Sequence, residues 1–133
     1  PKIKFTTIIH SSSYVSKFAK IECGTVILGN AFVGPRCILS NHCIVNTGSV
    51  VDHDCSIGQY SSIGPGSVLG GTVRIGKCSA ISIGAVIKHS LNIGNDSVIG
   101  GNSYLNEDVG DLMIYYGVPA KFISKREINQ KYL

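Results

Sequence analysis

An aliphatic residue recurs at every sixth position of this 133-residue chain, from Ile9 to Leu105, without a slip. The series is Ile9, Val15, Ile21, Ile27, Val33, Leu39, Val45, Val51, Ile57, Ile63, Leu69, Ile75, Ile81, Ile87, Ile93, Ile99 and Leu105. A helix repeats its buried face about every 3.6 residues and a half-buried strand every second residue, so a period of six fits neither. It fits a chain that turns a corner every six residues and puts one aliphatic side chain inside on each short flat segment. Three segments close a triangular coil of about eighteen residues, and successive coils stack as a solenoid. The sixteen intervals between anchors predict about five coils.

A second column supports the prism. Two positions before most anchors the residue is small: Ser13, Ala19, Thr25, Ala31, Cys37, Cys43, Ser49, Cys55, Ser61, Ser67, Ser79, Ala85, Ser97 and Ser103, with Val73 and Leu91 the exceptions. A narrow prism holds one bulky and one small inward side chain per face. Glycine follows the anchor at Gly34, Gly58, Gly64, Gly70, Gly76, Gly94 and Gly100. These positions predict corners where φ is positive or a Cβ would clash.

The length predicts one domain: a lead-in over 1–8, coils over 9–111, and a strand, turn and helix over 112–133. In that last part Met113 to Tyr116 reads as a strand and Gly117 to Lys121 as a turn. Phe122, Ile123, Ile128 and Tyr132 would share one side of a short amphipathic helix that caps the solenoid. Tyr14, Phe18, Phe32 and Tyr60 place apolar surface outside, which predicts an oligomer.

Composition narrows the class. The net charge of +4 is modest, with Lys121, Lys125, Arg126 and Lys131 concentrated in the tail. No aromatic-interleaved basic motif accompanies them, which argues against nucleic acid. An anionic small molecule near the C-terminal coils and a solvated basic face both fit. No apolar run approaches a membrane span, and the start Pro1-Lys2-Ile3-Lys4 lacks the apolar core of a signal peptide. The five cysteines include no CxxC pair, which argues against zinc and for reduced thiols in the cytoplasm.

One corner segment carries chemistry: Val51-Asp52-His53-Asp54 sets a histidine between two carboxylates. Imidazole as a side chain accepts and returns a proton near neutral pH. A carboxylate on one ring nitrogen fixes the tautomer and stabilises the imidazolium. Spacing alone leaves two readings open, a general base or a solvated corner histidine among turn-forming acids. His89 falls thirty-six residues later in the same corner column, two rungs or about 9–10 Å along the axis, too far to share a proton with His53. His42 reads as structural.

The pattern resembles the hexapeptide-repeat acyltransferases over roughly residues 5–124. It is similar in particular to the sialic acid O-acetyltransferase and bacillosamine-pathway sugar N-acetyltransferase group. The matching residues are Ile9-His10-Ser11-Ser12, Asn46-Thr47-Gly48 with Val51-Asp52-His53-Asp54, Gly64-Pro65-Gly66, Gly70-Gly71-Thr72-Val73, and Gly117-Val118-Pro119-Ala120-Lys121. The resemblance implies an all-β, left-handed parallel β-helix, with the handedness coming from it alone. It also implies a homotrimer with active sites between subunits, acetyl-CoA as co-substrate, no metal, and a sugar acceptor. By it His53 is the general base, Asp54 orients it and Asn46 helps place the sugar. Asp52 and His10 would line the acceptor site. Ser62 stands where the group usually has a second histidine that contacts the acyl donor.

The expected reaction is direct acyl transfer. The Gly71 N–H is the candidate oxyanion donor, since glycine allows close approach. Backbone groups around Gly84, Ala85, Gly101 and Asn102 would pair with the pantetheine amide, and Lys121 or Lys88 would meet the CoA phosphates. Three alternatives remain at this point. One is a non-catalytic assembly or binding module on the same coils. Another is an acetyltransferase for a non-sugar acceptor. The third, a zinc enzyme of the γ-carbonic anhydrase type, would need three histidines that this chain does not align.

Overall fold

The computed structural model describes residues 3–131. Every anchor is the second residue of a two-residue strand, so its side chain turns inward while its predecessor faces out. The strands sort into three parallel sheets, the faces of the prism. The first holds β1 (Ile8–Ile9), β4 (Val26–Ile27), β7 (Ile44–Val45), β10 (Ser62–Ile63), β13 (Ala80–Ile81) and β16 (Val98–Ile99). The second holds β2 (Tyr14–Val15), β5 (Phe32–Val33), β8 (Val50–Val51), β11 (Val68–Leu69), β14 (Val86–Ile87) and β17 (Tyr104–Leu105). The third holds β3 (Lys20–Ile21), β6 (Ile38–Leu39), β9 (Ser56–Ile57), β12 (Arg74–Ile75) and β15 (Asn92–Ile93). Each strand pairs with the one eighteen residues on, as in Val51↔Leu69 and Leu69↔Ile87. The result is a parallel β-solenoid of nearly six coils, not five. Each anchor marks a side of the triangle, and counting the intervals between them undercounts the sides.

From Ile27 to Leu105 no anchor is more than 4% exposed. The small column is buried beside them, and its hydroxyls are satisfied inside the prism. Ser61 Oγ donates to Gly76 O and Ser79 Oγ to Gly94 O, both at 2.7 Å. With anchors stacked this closely, Ile63→Ala is expected to cost about 2–5 kcal/mol. Urea unfolding checks this through the midpoint at unchanged slope.

The glycines after the anchors are needed for space rather than for φ. A Cβ on Gly58 would stand 2.5 Å from the Gly76 carbonyl carbon, and one on Gly64 2.7 Å from Ile81 O. Positive φ falls two residues later, at Gly48, Gly66 and Gly84, but also at Arg36, Asp54, Thr72 and Ser90.

The C-terminal helix is a correction. β18 (Met113–Gly117) extends the first face in parallel with β16, and β19 (Ala120–Lys125) folds back on it antiparallel. Pairing along the open edge of β18 outweighs the weak helical periodicity, and Phe122 meets Tyr115 edge-on at 6.0 Å. Tyr132, part of that helical reading, lies outside the described residues. Among the described residues no helix is long and apolar enough to cross a membrane.

The outward residues differ by face. The second face presents Tyr14, Phe32, Val50, Val68, Val86 and Tyr104, with the Tyr14 and Phe32 rings stacked at 5.1 Å. The first presents Ile8, Val26, Ile44 and Ser62, while Ala80 and Val98 are buried against Ile114, and the third presents the more polar set Lys20, Ile38, Ser56, Arg74 and Asn92. Of the remaining outer aromatics, Tyr60 stacks on His42 at 5.0 Å and the Lys17 ammonium lies 5.1 Å over Phe18.

Candidate active site

His53 and Asp54 form the turn that follows β8, at the corner between the second and third faces. Asp52 Oδ1 accepts from the His53 N–H at 2.8 Å and braces the turn from within. His53 Nδ1 lies 2.7 Å from Asp54 Oδ2. Arg36, one coil earlier, reaches the same carboxylate with two bonds, Nε to Oδ1 at 2.6 Å and Nη2 to Oδ2 at 2.8 Å. The Arg36 fork first, and the His53 contact second, hold the Asp54 carboxyl down at about 2. The carboxylate in turn raises the Arg36 guanidinium.

The other side of the imidazole faces Gly71, one coil later. A Cβ at Gly71 would overlap His53 Nε2 and Cε1. The Gly71 carbonyl accepts from Ser90 N and Thr72 Oγ1, whereas its N–H meets no acceptor among the described residues. The Nε2 edge of the ring therefore stands over a glycine whose N–H is free. His89 is two rungs further on in the same column, as expected from the register. His42 lies between Tyr60 and the edge-on ring of Phe5, in keeping with a packing role.

The remaining candidates gather at a different corner, between the first and second faces. A cleft of about 320 Å³ is lined there by residues that include Ile44, Asn46, Ser62, Pro65, Ala80 and Ile83. Gly84 adjoins it, with its N–H on Pro65 O, and Asn102 N donates to Ile83 O. Ala85 is fully buried, its N–H on Ser82 O and its carbonyl on Val68 N, so its backbone has no donor to spare. Gly101 lies one residue before Asn102 in the last turn of this corner, with an N–H that is not used within the described coils. His10 opens the corner two coils above Asn46, its Nδ1 held by Ser12 Oγ at 2.8 Å. Lys121 sits on β19 opposite Tyr116, and Lys88 follows β14 at the His53 corner; both are exposed.

Thus His53, Asp54, Asp52 and Gly71 occupy one edge of the second face, and Asn46, Gly84, Gly101 and Asn102 the other, with Ser62 beside them on the first face. The chain crosses the whole face between them. Arg36 was missed in the sequence. Its signal is the offset of one coil, eighteen residues, from Asp54. A second hollow, about 490 Å³, lies against Tyr14, Lys17, Phe18 and Pro35, the last one coil before His53.

A model of the bacterial transferase hexapeptide, six repeats long, matches residues 36–71, which include Asn46, His53, Asp54, Ser62 and Gly71. The six-residue repeat that it describes continues on both sides of that match, from Ile9 to Leu105. No curated relative matches it. Among solved structures, this hexapeptide-repeat chain is similar to PerB from Caulobacter crescentus in complex with CoA and GDP-perosamine. The two are 30% identical with a TM-score of 0.90, over 91% of this chain and 58% of that one. It is also similar to the acetyltransferase domain of PglB from Neisseria gonorrhoeae in complex with acetyl coenzyme A. There the identity is 35% and the TM-score 0.89, over 90% and 58%. WeeI from Acinetobacter baumannii follows at 25% and 0.77, over 89% and 55%. These neighbours agree with the sugar N-acetyltransferase group that the Asn46 to Asp54 segment resembles. The chain spans 58% of the length of the first of them.

Proposed function

We propose that this hexapeptide-repeat chain transfers an acetyl group from acetyl-CoA to the amine of a sugar carried on a nucleotide. The observation that carries this is the His53 ring, with a carboxylate on Nδ1 and its Nε2 edge over Gly71, whose N–H is unpaired. The neighbours crystallised with CoA, acetyl-CoA or GDP-perosamine supply the donor and the acceptor class.

In the reaction the acceptor nitrogen attacks the thioester carbon while His53 Nε2 takes its proton. The carbonyl oxygen becomes the oxyanion and accepts from Gly71 N–H. The C–S bond then breaks, and the imidazolium returns the proton to the leaving thiolate. The donor lies in the cleft at the other corner, beside Asn46 and Ser62, with its pantetheine along Gly84, Gly101 and Asn102. Lys121 or Lys88 meets its phosphates.

One chain cannot bring the two corners together, whereas a ring of copies can. The homotrimer that the resemblance implies would set the His53 corner of one copy against the cleft of the next. The five unpaired thiols suit a reducing compartment, the cytoplasm.

The test is CoA release from acetyl-CoA against a panel of nucleotide-linked amino sugars, free amino sugars and sialic acids. Turnover with a nucleotide-linked amine is expected. No turnover with any acceptor and no acetyl-CoA binding would make the chain a non-catalytic module. Subunit mixing tests the shared site. His53→Ala and Ser62→Trp, each inactive alone, are expected to recover about a quarter of wild-type sites when refolded together at equal amounts, because a random mixture pairs an intact histidine with an intact cleft at that frequency. A site contained in one copy would recover nothing.

A further inference from the structure

We propose that Arg36 is a positioning residue for His53, acting from the preceding coil through both oxygens of Asp54. The inference rests on the reading of His53 as the base. An ionised carboxylate can only accept, so His53 Nδ1 must donate to Oδ2, and the lone pair is left on Nε2, the nitrogen that faces Gly71. That choice of tautomer holds only while the carboxylate keeps its place. A lone aspartate on an exposed turn can rotate about its own side chain and offer either oxygen, or none. The Arg36 fork removes that freedom, since two parallel bonds at 2.6 and 2.8 Å fix the plane of the carboxylate. The same fork keeps Asp54 ionised, so it remains an acceptor at any pH at which the protein works.

A second effect is electrostatic. Within the chain, the groups facing the imidazole are Asp52 and Asp54 on its own turn and Arg36 on the coil before. Gly71 and Thr72 on the coil after carry no charge. His89 stands two coils on, and Lys17 two coils back, leaning on Phe18. Arg36 thus offsets one of the two adjacent carboxylates. Without it both carboxylates beside the ring stand uncompensated.

The experiment uses Arg36→Gln and Arg36→Lys in the full chain. Ring ¹⁵N shifts of His53 in the resting protein report the tautomer without any substrate, and kcat and KM are followed against pH. The wild type is expected to carry its proton on Nδ1, and Arg36→Gln a mixture of tautomers. In Arg36→Gln, kcat is expected to fall about ten- to a hundredfold with the KM for acetyl-CoA unchanged. The acid limb of kcat/KM is expected to move to higher pH. Arg36→Lys keeps the charge without the fork, so it restores the limb but only part of kcat. The inference is overturned if Arg36→Gln keeps the wild-type tautomer, even where its melting temperature and kcat fall together, because the arginine then only ties two coils. A wild type with the expected tautomer, scrambled in Arg36→Gln, but with no turnover on any acceptor, upholds the inference and removes the enzymatic reading instead.

Discussion

His53→Ala is expected to lower kcat by about 10²–10⁴-fold, the usual contribution of a positioned general base. Melting temperature and oligomer size should stay at wild-type values. The side chain is 49% exposed and its polar partner, Asp54, retains the Arg36 fork, so truncation leaves neither a cavity nor an orphaned buried charge. Residual turnover should remain well above the uncatalysed rate, because the donor cleft and the Gly71 N–H are untouched. Lowering pH does not remove the orienting carboxylate until very acidic conditions. The Asp54 carboxyl sits at about 2 in the fold against ~3.9 in an unfolded chain. Its depressed folded value means that its contribution to stability is complete above the unfolded value and is lost as pH falls through the folded one. Loss of activity at milder acidity would therefore report another group. Turnover measured over a pH series for wild type and His53→Ala checks both statements, and a folded, fully active His53→Ala would reassign the base.

The interior of this protein was legible in the sequence, and its edges were less so. Inward positions of a narrow prism admit few side chains, so Ile27 to Leu105 and the small residues between them announce themselves by period. Corners are set by stacking between coils, which a local reading does not see. Glycine after an anchor looks like a residue chosen for positive φ, yet Gly58 and Gly64 are there because the next coil's backbone passes within 3 Å of where a Cβ would be. Positive φ falls instead on residues such as Asp54 and Thr72, whose N–H groups are held by the coil before, Asp54 N on Pro35 O and Thr72 N on His53 O, each at 2.9 Å.

The same logic sorts the candidate site. Asn46 and His53 are seven residues apart, which suggests one pocket, but seven residues carry the chain across a face to the next corner. Arg36 and Asp54 are eighteen apart, which suggests nothing until the coil length is used as a ruler. Ala85 read as a donor-groove residue, although its place in the small column already committed its side chain to the core and its backbone to the ladder. At the C-terminus, Phe122 and Ile123 fit a helix or a strand equally well, and the open edge of β18 decides between them.

Gly71→Ala is the companion to the histidine variant and separates shape from chemistry. Gly71 has no positive φ, so alanine meets no backbone strain there, and the atoms its methyl would strike belong to the His53 side chain. An exposed ring can move where a packed backbone cannot, so the fold should survive with a small change in melting temperature. The ring, however, can yield only by swinging Nε2 away from Gly71, or by giving up the 2.7 Å bond to Asp54. Either movement separates the base from the oxyanion donor, and a loss of about 100-fold or more in kcat is expected. Gly70→Ala is the control. Its Cβ would stand 2.7 Å from the His89 backbone nitrogen, which cannot swing aside, so the expected damage is to stability. The double variant His53→Ala with Gly71→Ala should be no slower than the slower of the two single variants, because with the ring gone the methyl has nothing left to displace. A further, multiplicative loss in the double variant would mean that Gly71 matters through its own N–H or through the donor rather than through the histidine.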